Sequence, residues 1–235
     1  MNILEAIIDD VRPPRTRPSG VWVGLHWTAV ASKYTGMAHT YKSGEAQSIP
    51  DGGALSKKTL KALCQLALSD NTLEASVGCA TVNSLLEPRG RKGNIETQFK
   101  KLARGKVVSV IGRFPFNDDV RKLASRCYIL EINPIGEELP STMADDVLPK
   151  CDLNIITATT LINHTLDHLL KLGSGGKNIV LGPTTPFSEV LFEKGADILA
   201  GVKVKDTLAL ASTITQGVKK FRDIGGIEPL WLGRH

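Results

Sequence analysis

The chain has 235 residues, of which 42% are hydrophobic, 23% are charged and 5% are aromatic, and its formal net charge is +5. A chain of this size can bury a substantial core, as one large domain or two small ones. No run approaches the roughly 20 apolar residues that span a bilayer. The early acids Glu5, Asp9 and Asp10 do not fit a signal peptide. We therefore predict a cytoplasmic protein with no membrane partner.

The cysteines indicate the same compartment. They are widely spaced and form no C-x-x-C pair. Their positions are Cys64, Cys79, Cys127 and Cys151. This spacing is typical of reduced thiols in a cytosolic protein and excludes a disulfide framework or a zinc ribbon.

Residues 1–88 predict a small α+β domain. The predicted elements are, in chain order, a helix over 1–11, a half-buried strand over 21–30, its hairpin partner over 34–41, a turn-rich loop over 43–53, a helix capped by Ser56, and a helix over 72–86. The assignments rest on helical spacing of apolar residues, on apolar alternation and on capping residues. Helix, hairpin, helix, helix is an α+β order without a βαβ unit.

Residues 105–235 predict a second domain with a parallel sheet, after a basic linker and helix at 89–104. The predicted strands are 107–111, 128–132, 153–156, 178–181, 197–200 and 227–232, and the predicted helices are 118–125, a short one ending at 148, then helices ending at 172 and 194, and 206–222. Short apolar strands that alternate with helices indicate right-handed βαβ units. The fold class is therefore α/β, with a Rossmann-like parallel sheet and helices on both of its faces.

The segment 89–106 is strongly basic, with Glu96 as its single acid. Its cations are Arg89, Arg91, Lys92, Lys100, Lys101, Arg104 and Lys106. Such a segment can contact nucleic acid or another anion. None of the three tryptophans and three tyrosines is interleaved with these charges, so a stacking platform for single strands is unsupported. We therefore favour a solvated linker and helix face over a nucleic-acid partner.

Gly112 and Glu131 end the first two strands of the second domain, nineteen residues apart. This is the Rossmann spacing of a glycine turn and an acid that binds a ribose hydroxyl. The loop after Gly112 lacks the second and third glycines of G-x-G-x-x-G, which argues against NAD as a cofactor. Glu131 remains a candidate ligand-binding residue, because a carboxylate at a strand's carboxyl end points into the crevice. The alternative is a solvated acid at a strand end.

A threonine-rich loop, 157–165, follows the next predicted strand. Strand-to-helix loops of a parallel sheet emerge at its carboxyl edge, where ligands bind. The candidate ligand-binding residues are Thr159, Thr160, Asn163 and Thr165. Thr159 or Thr160 can also simply cap the following helix. Both interpretations remain open.

A second polar loop, 182–186, follows the strand after that. Its candidate ligand-binding residues are Gly182, Pro183, Thr184 and Pro186. The prolines fix φ at two points, which makes the loop rigid, and Pro186 suits a first helical turn. The loop predicts a preorganised wall that presents two hydroxyls to a ligand. A plain connection between strand and helix is the alternative.

His164 and His168 lie four residues apart on the helix predicted after residue 157, a spacing that lets two imidazoles share a metal. The apolar residues define a buried face to which both histidines lie roughly opposite. We therefore predict two exposed histidines.

Several of these stretches together resemble the family named "putative heavy-metal chelation domain", which comprises prokaryotic proteins of unknown function. The similar stretches are 75–84, 110–115, 131–134, 157–165, 182–186 and 197–202. The resemblance implies a Rossmann-like C-terminal domain and an N-terminal domain similar to the enolase N-terminal fold. It also implies a cleft between the two, lined by Asn83 together with Gly112, Glu131 and the two polar loops.

The leading hypothesis is therefore a protein that binds a small ligand or a metal complex in that cleft. The family name suggests chelation of heavy metals, but soft metals prefer thiolates and no cysteine lies in the polar loops. This hypothesis allows a metal ion as a cofactor and further copies of the chain as partners in a homo-oligomer. The alternative hypothesis is an enzyme acting on a nucleotide-like or small anionic substrate, with Glu131 as general base.

Overall fold

The protein is described here by a computed structural model covering residues 1–42 and 48–234. Part of the predicted loop 43–53, namely residues 43–47, lies outside the described residues, as does residue 235. Within the described ranges, no helix has the length and hydropathy needed to span a membrane.

The N-terminal part, residues 1–88, contains an antiparallel sheet flanked by helices. Its described elements are α1 (Ile3–Val11), β1 (Gly20–Val23), β2 (Trp27–Ala31), β3 (Thr35–His39), α2 (Leu60–Gln65) and α3 (Thr72–Leu85). The strands lie in the order β1-β2-β3. The sheet packs closely on α3, because a Cβ built on Gly36 would lie 2.3 Å from the carbonyl oxygen of Ala80.

Two details of the N-terminal predictions are wrong. The single strand predicted at 21–30 is two antiparallel strands, because the chain turns at Gly24, whose N–H donates to the carbonyl of Trp27 at 2.9 Å. Ser56 does not cap α2. It lies in a preceding 3-10 turn, and the Thr59 hydroxyl accepts from the N–H of Ala62 at 3.2 Å.

The remaining residues build a mostly parallel sheet between helices. Its described elements are β4 (Arg91–Lys92), α4 (Glu96–Ala103), β5 (Val107–Ile111), α5 (Asn117–Leu123), β6 (Arg126–Glu131), β7 (Leu139–Pro140), α6 (Ala144–Val147), β8 (Leu153–Thr157), α7 (Thr159–Ile162), α8 (Leu166–Leu172), β9 (Lys177–Leu181), α9 (Glu189–Glu193), β10 (Ile198–Val204), α10 (Thr207–Thr215) and β11 (Ile227–Gly233). These confirm the predicted α/β class.

The sheet has the strand order of a doubly wound Rossmann fold. The order is β4-β11-β10-β9-β8-β5-β6-β7 for the described strands, and the run from β7 to β10 is parallel. Within that run the first strand in sequence, β5, lies between β6 and β8, so the connections leave it in opposite directions. The crevice at the carboxyl ends of β5 and β8 is therefore the topological switch point, where such sheets bind ligands.

Two hydrophobic clusters cover the two faces of this sheet. On one face, Ile7 of α1 and Ala80 of α3 join Ile156 of β8 in a single cluster, so the N-terminal part packs directly on the sheet. On the other face, Phe99 of α4 joins Ile155 of β8. Helices therefore flank both faces, as predicted.

Three predicted segments differ in the C-terminal part. The basic linker is not irregular throughout, because β4 pairs antiparallel with β11. The helix predicted to end at 172 is interrupted between α7 and α8, where His164 has φ 60°. The helix predicted over 206–222 ends as α10 at Thr215, and the chain then turns at Gly217, which has φ 80°.

Candidate functional site

The carboxyl ends of β5 and β8 approach each other closely at the switch point. Gly112, directly after β5, has φ 115°, which disfavours any residue with a side chain. A Cβ built there would lie 3.1 Å from the Cβ of Thr157. Because glycine has no Cβ, position 112 does not crowd the Thr157 side chain at the crevice. Gly112 stays a candidate site residue, and the residue that it approaches, Thr157, belongs to the first polar loop.

Asn117, the first residue of α5, contacts Gly112 and is a candidate site residue that the sequence did not single out. Its Nδ2 donates to the carbonyl of Gly112 at 3.2 Å and so fixes the loop after β5. The residue is 6% exposed, and its Oδ1 has no hydrogen-bond partner among the described residues. An unpaired buried oxygen costs stability unless water or a ligand donates to it. Its place at the start of a helix after a loop was the available signal.

Glu131 ends β6, beside Gly112 on the neighbouring strand. Burial raises the pKa of its carboxyl group, while the Arg113 guanidinium and the backbone N–H groups of Ile132 and Arg113 oppose that shift. Arg113 itself is held by Glu138, with Nε to Oε1 at 2.9 Å. Glu131 is thus a half-buried carboxylate without an ion pair of its own among the described residues.

The threonines after β8 bind one another rather than capping a helix in the usual way. The Thr157 and Thr159 hydroxyl oxygens are 3.0 Å apart, and both residues are half-buried. The Thr160 hydroxyl is buried and donates to the carbonyl of Thr157 at 2.6 Å. The expected capping by Thr159 or Thr160 is wrong, because Ala158 occupies the N-cap of α7 and makes no side-chain bond. Thr157 and Thr159 remain at the crevice.

Asn163 and Thr165 belong to the break between α7 and α8. The Asn163 Oδ1 accepts from the Thr165 hydroxyl at 2.7 Å and from its N–H at 3.3 Å. The break separates the two histidines that share one helix in the prediction. His164 Nε2 lies 3.0 Å from the carbonyl oxygen of Ser69, and His168 Nε2 lies 3.1 Å from Asp145. Both are exposed, as predicted, and each has its own partner.

The second polar loop, 182–186, turns toward the N-terminal part. Thr184 is 2% exposed, and its hydroxyl accepts from the backbone N–H of His39 at 3.0 Å. Asn83 donates from Nδ2 to two carbonyls, those of Met37 and Thr184, both at 3.0 Å. Asn83 and Thr184 are therefore brought together: the Asn83 side chain binds the Thr184 backbone, and the Thr184 hydroxyl binds the backbone of His39.

Thr185 and Pro186 of this loop are also buried, whereas Gly182 and Pro183 are partly exposed. Thr185 is 3% exposed, and its hydroxyl has no described hydrogen-bond partner. A cavity of about 10 Å³, room for about one water molecule, lies between this threonine, Asn83 and Met37. Pro186 does not start a helix, because α9 begins at Glu189 after the cap Ser188. Both hydroxyls are therefore buried at the junction with the N-terminal part, and contact of this loop with a ligand stays a prediction.

The predicted lining residues therefore lie on two faces of the sheet. Strand alternation puts Glu131 on the face of Ile129 and Thr157 on the face of Ile155, in the cluster with α4 and α5. Asn83 belongs to α3, which packs in the cluster on the opposite face. The structure brings Gly112 and Thr157 together, and separately Asn83 and Thr184.

His39, beside Thr184, has the most perturbed imidazole. Burial, aided by His26 and Lys42, lowers the pKa of His39 to about 4. Its ring packs edge-on against Trp27 with centroids 5.3 Å apart, and its Nδ1 is buried with no described hydrogen-bond partner. The residue is a neutral imidazole at neutral pH and helps to fill the junction with the second polar loop.

The donor set fits a bare heavy-metal ion poorly. Among the described residues, no three of the His, Cys, Asp and Glu side chains converge on one point. Cys64, Cys79 and Cys151 are buried, and burial raises the pKa of Cys64 and of Cys79 to about 12, so these thiols carry no thiolate. At the switch point Glu131 is accompanied by the positive charge of Arg113. The residues present therefore do not build a soft-metal site.

The basic segment 89–106 folds back on the sheet, and three of its seven cations form ion pairs there. Arg89 binds Glu189, and Lys92 lies 3.4 Å from Glu228. Lys100 lies 2.7 Å from Asp119. Arg91 stacks on the Trp231 ring at 5.2 Å. These contacts attach the segment to β11, α5 and α9.

Comparison with known proteins identifies relatives of both parts. Two family models, each described as "Putative heavy-metal chelation", match residues 95–223 and residues 17–86. No curated protein matches the chain.

Two solved structures share the fold. A protein of unknown function from Desulfitobacterium hafniense DCB-2 has a TM-score of 0.84 at 23% identity, covering 99% of this chain and 98% of its own. A protein of unknown function from Pyrococcus horikoshii has a TM-score of 0.82 at 20% identity, with the same coverage of 99% and 98%. At these identities the likeness establishes the fold alone.

Proposed function

The chain belongs to the family described as "Putative heavy-metal chelation", and on that premise we propose that it binds a small polar ligand, or a metal carried as a complex by such a ligand. The binding site in this proposal is the switch-point site, made of Gly112, Asn117, Glu131, Thr157 and Thr159. The observation that carries it is the close approach of Gly112, with its φ of 115°, to Thr157 at the strand-order reversal.

The chemistry of the switch-point site supports an organic ligand better than a naked ion. Glu131 accepts hydrogen bonds from hydroxyl or amine groups, and Thr157 and Thr159 both donate and accept. The unpaired Asn117 Oδ1 supplies a further acceptor. A soft metal would need thiolates, which the buried cysteines do not provide. In this proposal a metal therefore arrives with its coordination sphere filled mainly by the ligand's own donors.

The test is native mass spectrometry combined with elemental analysis of the full chain, purified without chelator or affinity resin. We expect a retained small molecule of defined mass, with any metal present in proportion to it. The Glu131→Gln and Thr157→Val variants should lose the molecule. Glu137→Gln is the matched control, since Glu137 is an exposed acid of the following loop. An empty wild-type protein, or equal retention by all variants, would contradict the proposal.

A second candidate function is catalysis with Glu131 as general base on a small anionic substrate. The observation that favours it is the raised pKa of Glu131, which brings a carboxyl group closer to the range useful for proton transfer at neutral pH. The nearby Arg113, although paired with Glu138, would add positive charge that attracts the anionic group of the substrate. Glu131→Gln distinguishes the two functions. For a general base, the variant abolishes turnover and keeps the ligand; for a binding residue, it loses the ligand itself.

A further inference from the structure

A concave surface of the N-terminal part lies away from the switch-point site. It is an open groove with a volume of about 590 Å³, within the range of about 300–1,000 Å³ typical of small-ligand sites. One wall is the loop between α1 and β1, and the other is the turn between β2 and β3. The first residue of α2 and the last residue of α3, Leu60 and Leu85, contribute apolar surface.

Three cations line this groove, with no acid among its described lining residues. They are Arg12, Arg17 and Lys33, and all three side chains belong to exposed residues. None of them forms an ion pair with a described residue, whereas Arg89, Lys92 and Lys100 of the segment 89–106 each do. Lys33 contacts the Tyr34 ring at 5.3 Å. The groove therefore concentrates uncompensated positive charge, which attracts anions.

The groove walls are held in place before any ligand arrives. The α1–β1 loop contains Pro13, Pro14 and Pro18, which restrict φ and reduce the entropy that binding would cost. The carbonyl of Thr16 accepts from the N–H of Leu60 at 2.7 Å, and this bond ties the loop to α2.

The opposite wall is tied to the end of α3. The Ser32 hydroxyl lies 2.6 Å from that of Ser84, and the Tyr34 N–H donates to the Ser84 carbonyl at 2.9 Å. At the C-terminal end of α1, Arg12 adopts φ 49°, a conformation in which a non-glycine residue is held only when its surroundings enforce it. The cations are thus presented from two anchored walls.

We propose that this groove binds a phosphomonoester with an apolar body. The three cations suit the dianionic phosphate, for which arginine supplies paired donors. The apolar side chains of Val11, Leu60 and Leu85 suit an aromatic or aliphatic group attached to it. This proposal is independent of the switch-point site and of what binds there.

The test is calorimetric titration of the full chain with phenyl phosphate and, separately, with inorganic phosphate. We expect one molecule of phenyl phosphate per chain, bound more tightly than inorganic phosphate. Arg17→Gln and Lys33→Gln should each weaken binding by at least about tenfold, the loss expected for one charged hydrogen bond. Arg15→Gln is the matched control, because Arg15 is an exposed arginine of the same loop that does not line the groove.

Arg15→Gln should change the affinity by less than about twofold. The substituted residues are exposed, so thermal unfolding should be unchanged in every variant. An equal loss in Arg15→Gln would show a diffuse charge effect and overturn the site. Equal binding of inorganic phosphate would overturn the apolar part of the assignment. Absence of any binding at millimolar phenyl phosphate would overturn the proposal as a whole.

Discussion

The two polar loops at the carboxyl edge of the sheet have similar compositions but differ in burial and in the residues that they contact. After β8, Thr157 and Thr159 stay half-buried beside Gly112 at the crevice. After β9, Thr184 and Thr185 are buried against the N-terminal part. The difference lies in what each loop's polar groups contact. Thr184 bonds the backbone of His39 and the side chain of Asn83, whereas the Thr157 and Thr159 hydroxyls contact each other. A threonine-rich loop can therefore line a candidate binding site or form structural contacts with the N-terminal part. Which of the two it does depends on the segments packed against it, and the loop's own sequence does not reveal them.

The second polar loop and the N-terminal part are joined by hydrogen bonds between residues far apart in the sequence. Asn83 reaches the backbone of both Met37 and Thr184, and Thr184 reaches the backbone of His39. The rigidity predicted from the two prolines of this loop serves the docking of the N-terminal part. If this account is right, substitutions in the second loop should change stability, and substitutions in the first should change ligand binding.

The largest effect is expected for Asn83→Ala. The variant removes both Nδ2 hydrogen bonds and leaves the carbonyls of Met37 and Thr184 unpaired in a closely packed junction. We expect the free energy of unfolding to fall by about 3 kcal/mol, measured by urea denaturation. The control is Asn163→Ala, in the break after α7. An equal or larger loss in Asn163→Ala would contradict the different roles of the loops.

The next effect is a pH dependence that arises from His39. Its pKa is lowered to about 4 in the folded protein, against about 6.5 in the unfolded chain. The unfolded chain therefore binds the proton first, so this contribution to stability is complete above about pH 6.5, falls as the pH drops, and levels off below about pH 4.

At pH 5 the loss attributable to His39 should be about 2 kcal/mol relative to pH 7. His39→Phe keeps an aromatic ring against Trp27 and removes the titrating group, so its unfolding free energy should change less between these two pH values. His168→Gln, at an exposed position, serves as control and should behave as the wild type. A wild-type pH dependence retained in His39→Phe would refute the assignment.

A smaller effect is expected for Thr184→Val, which keeps the shape of the side chain and removes its hydroxyl. The backbone N–H of His39 then loses its acceptor in the buried junction. We expect a destabilisation of about 1.5 kcal/mol in urea denaturation, with the ligand still retained at the switch-point site. Loss of the ligand in a variant that remains folded would show that the second loop does contribute to the site.

The sequence was sufficient for the architecture and for the positions of two strand ends at the switch point. Strand ends at Gly112 and Glu131 followed from apolar runs and their boundaries, because buried parallel strands are continuous and apolar. Gly112 was selected for its place after a strand, and the structure gives it a φ of 115°.

The parts that failed depend on contacts distant in sequence. The docking of Thr184 on His39 joins residues 145 positions apart, and no local pattern encodes it. The break in the helix at His164 was also not predicted. Apolar periodicity alone predicted one continuous helix, but the Thr165 hydroxyl donates to the Asn163 side chain at the break. Asn117 was overlooked because its Oδ1 becomes notable only once burial is known.

The smallest expected change in stability is the most informative about function. Thr159→Val preserves the shape of a half-buried residue whose hydroxyl contacts that of Thr157 at 3.0 Å. We expect its unfolding free energy to stay within about 0.5 kcal/mol of the wild type, while retention of the small molecule in native mass spectrometry is lost. The two variants are therefore expected to have opposite effects. Thr159→Val should change ligand binding but not stability, and Thr184→Val should change stability but not ligand binding. If Thr159→Val instead destabilised the protein as much as Thr184→Val, both loops would have a structural role. Thr157 and Thr159 would then no longer be candidates for the switch-point site.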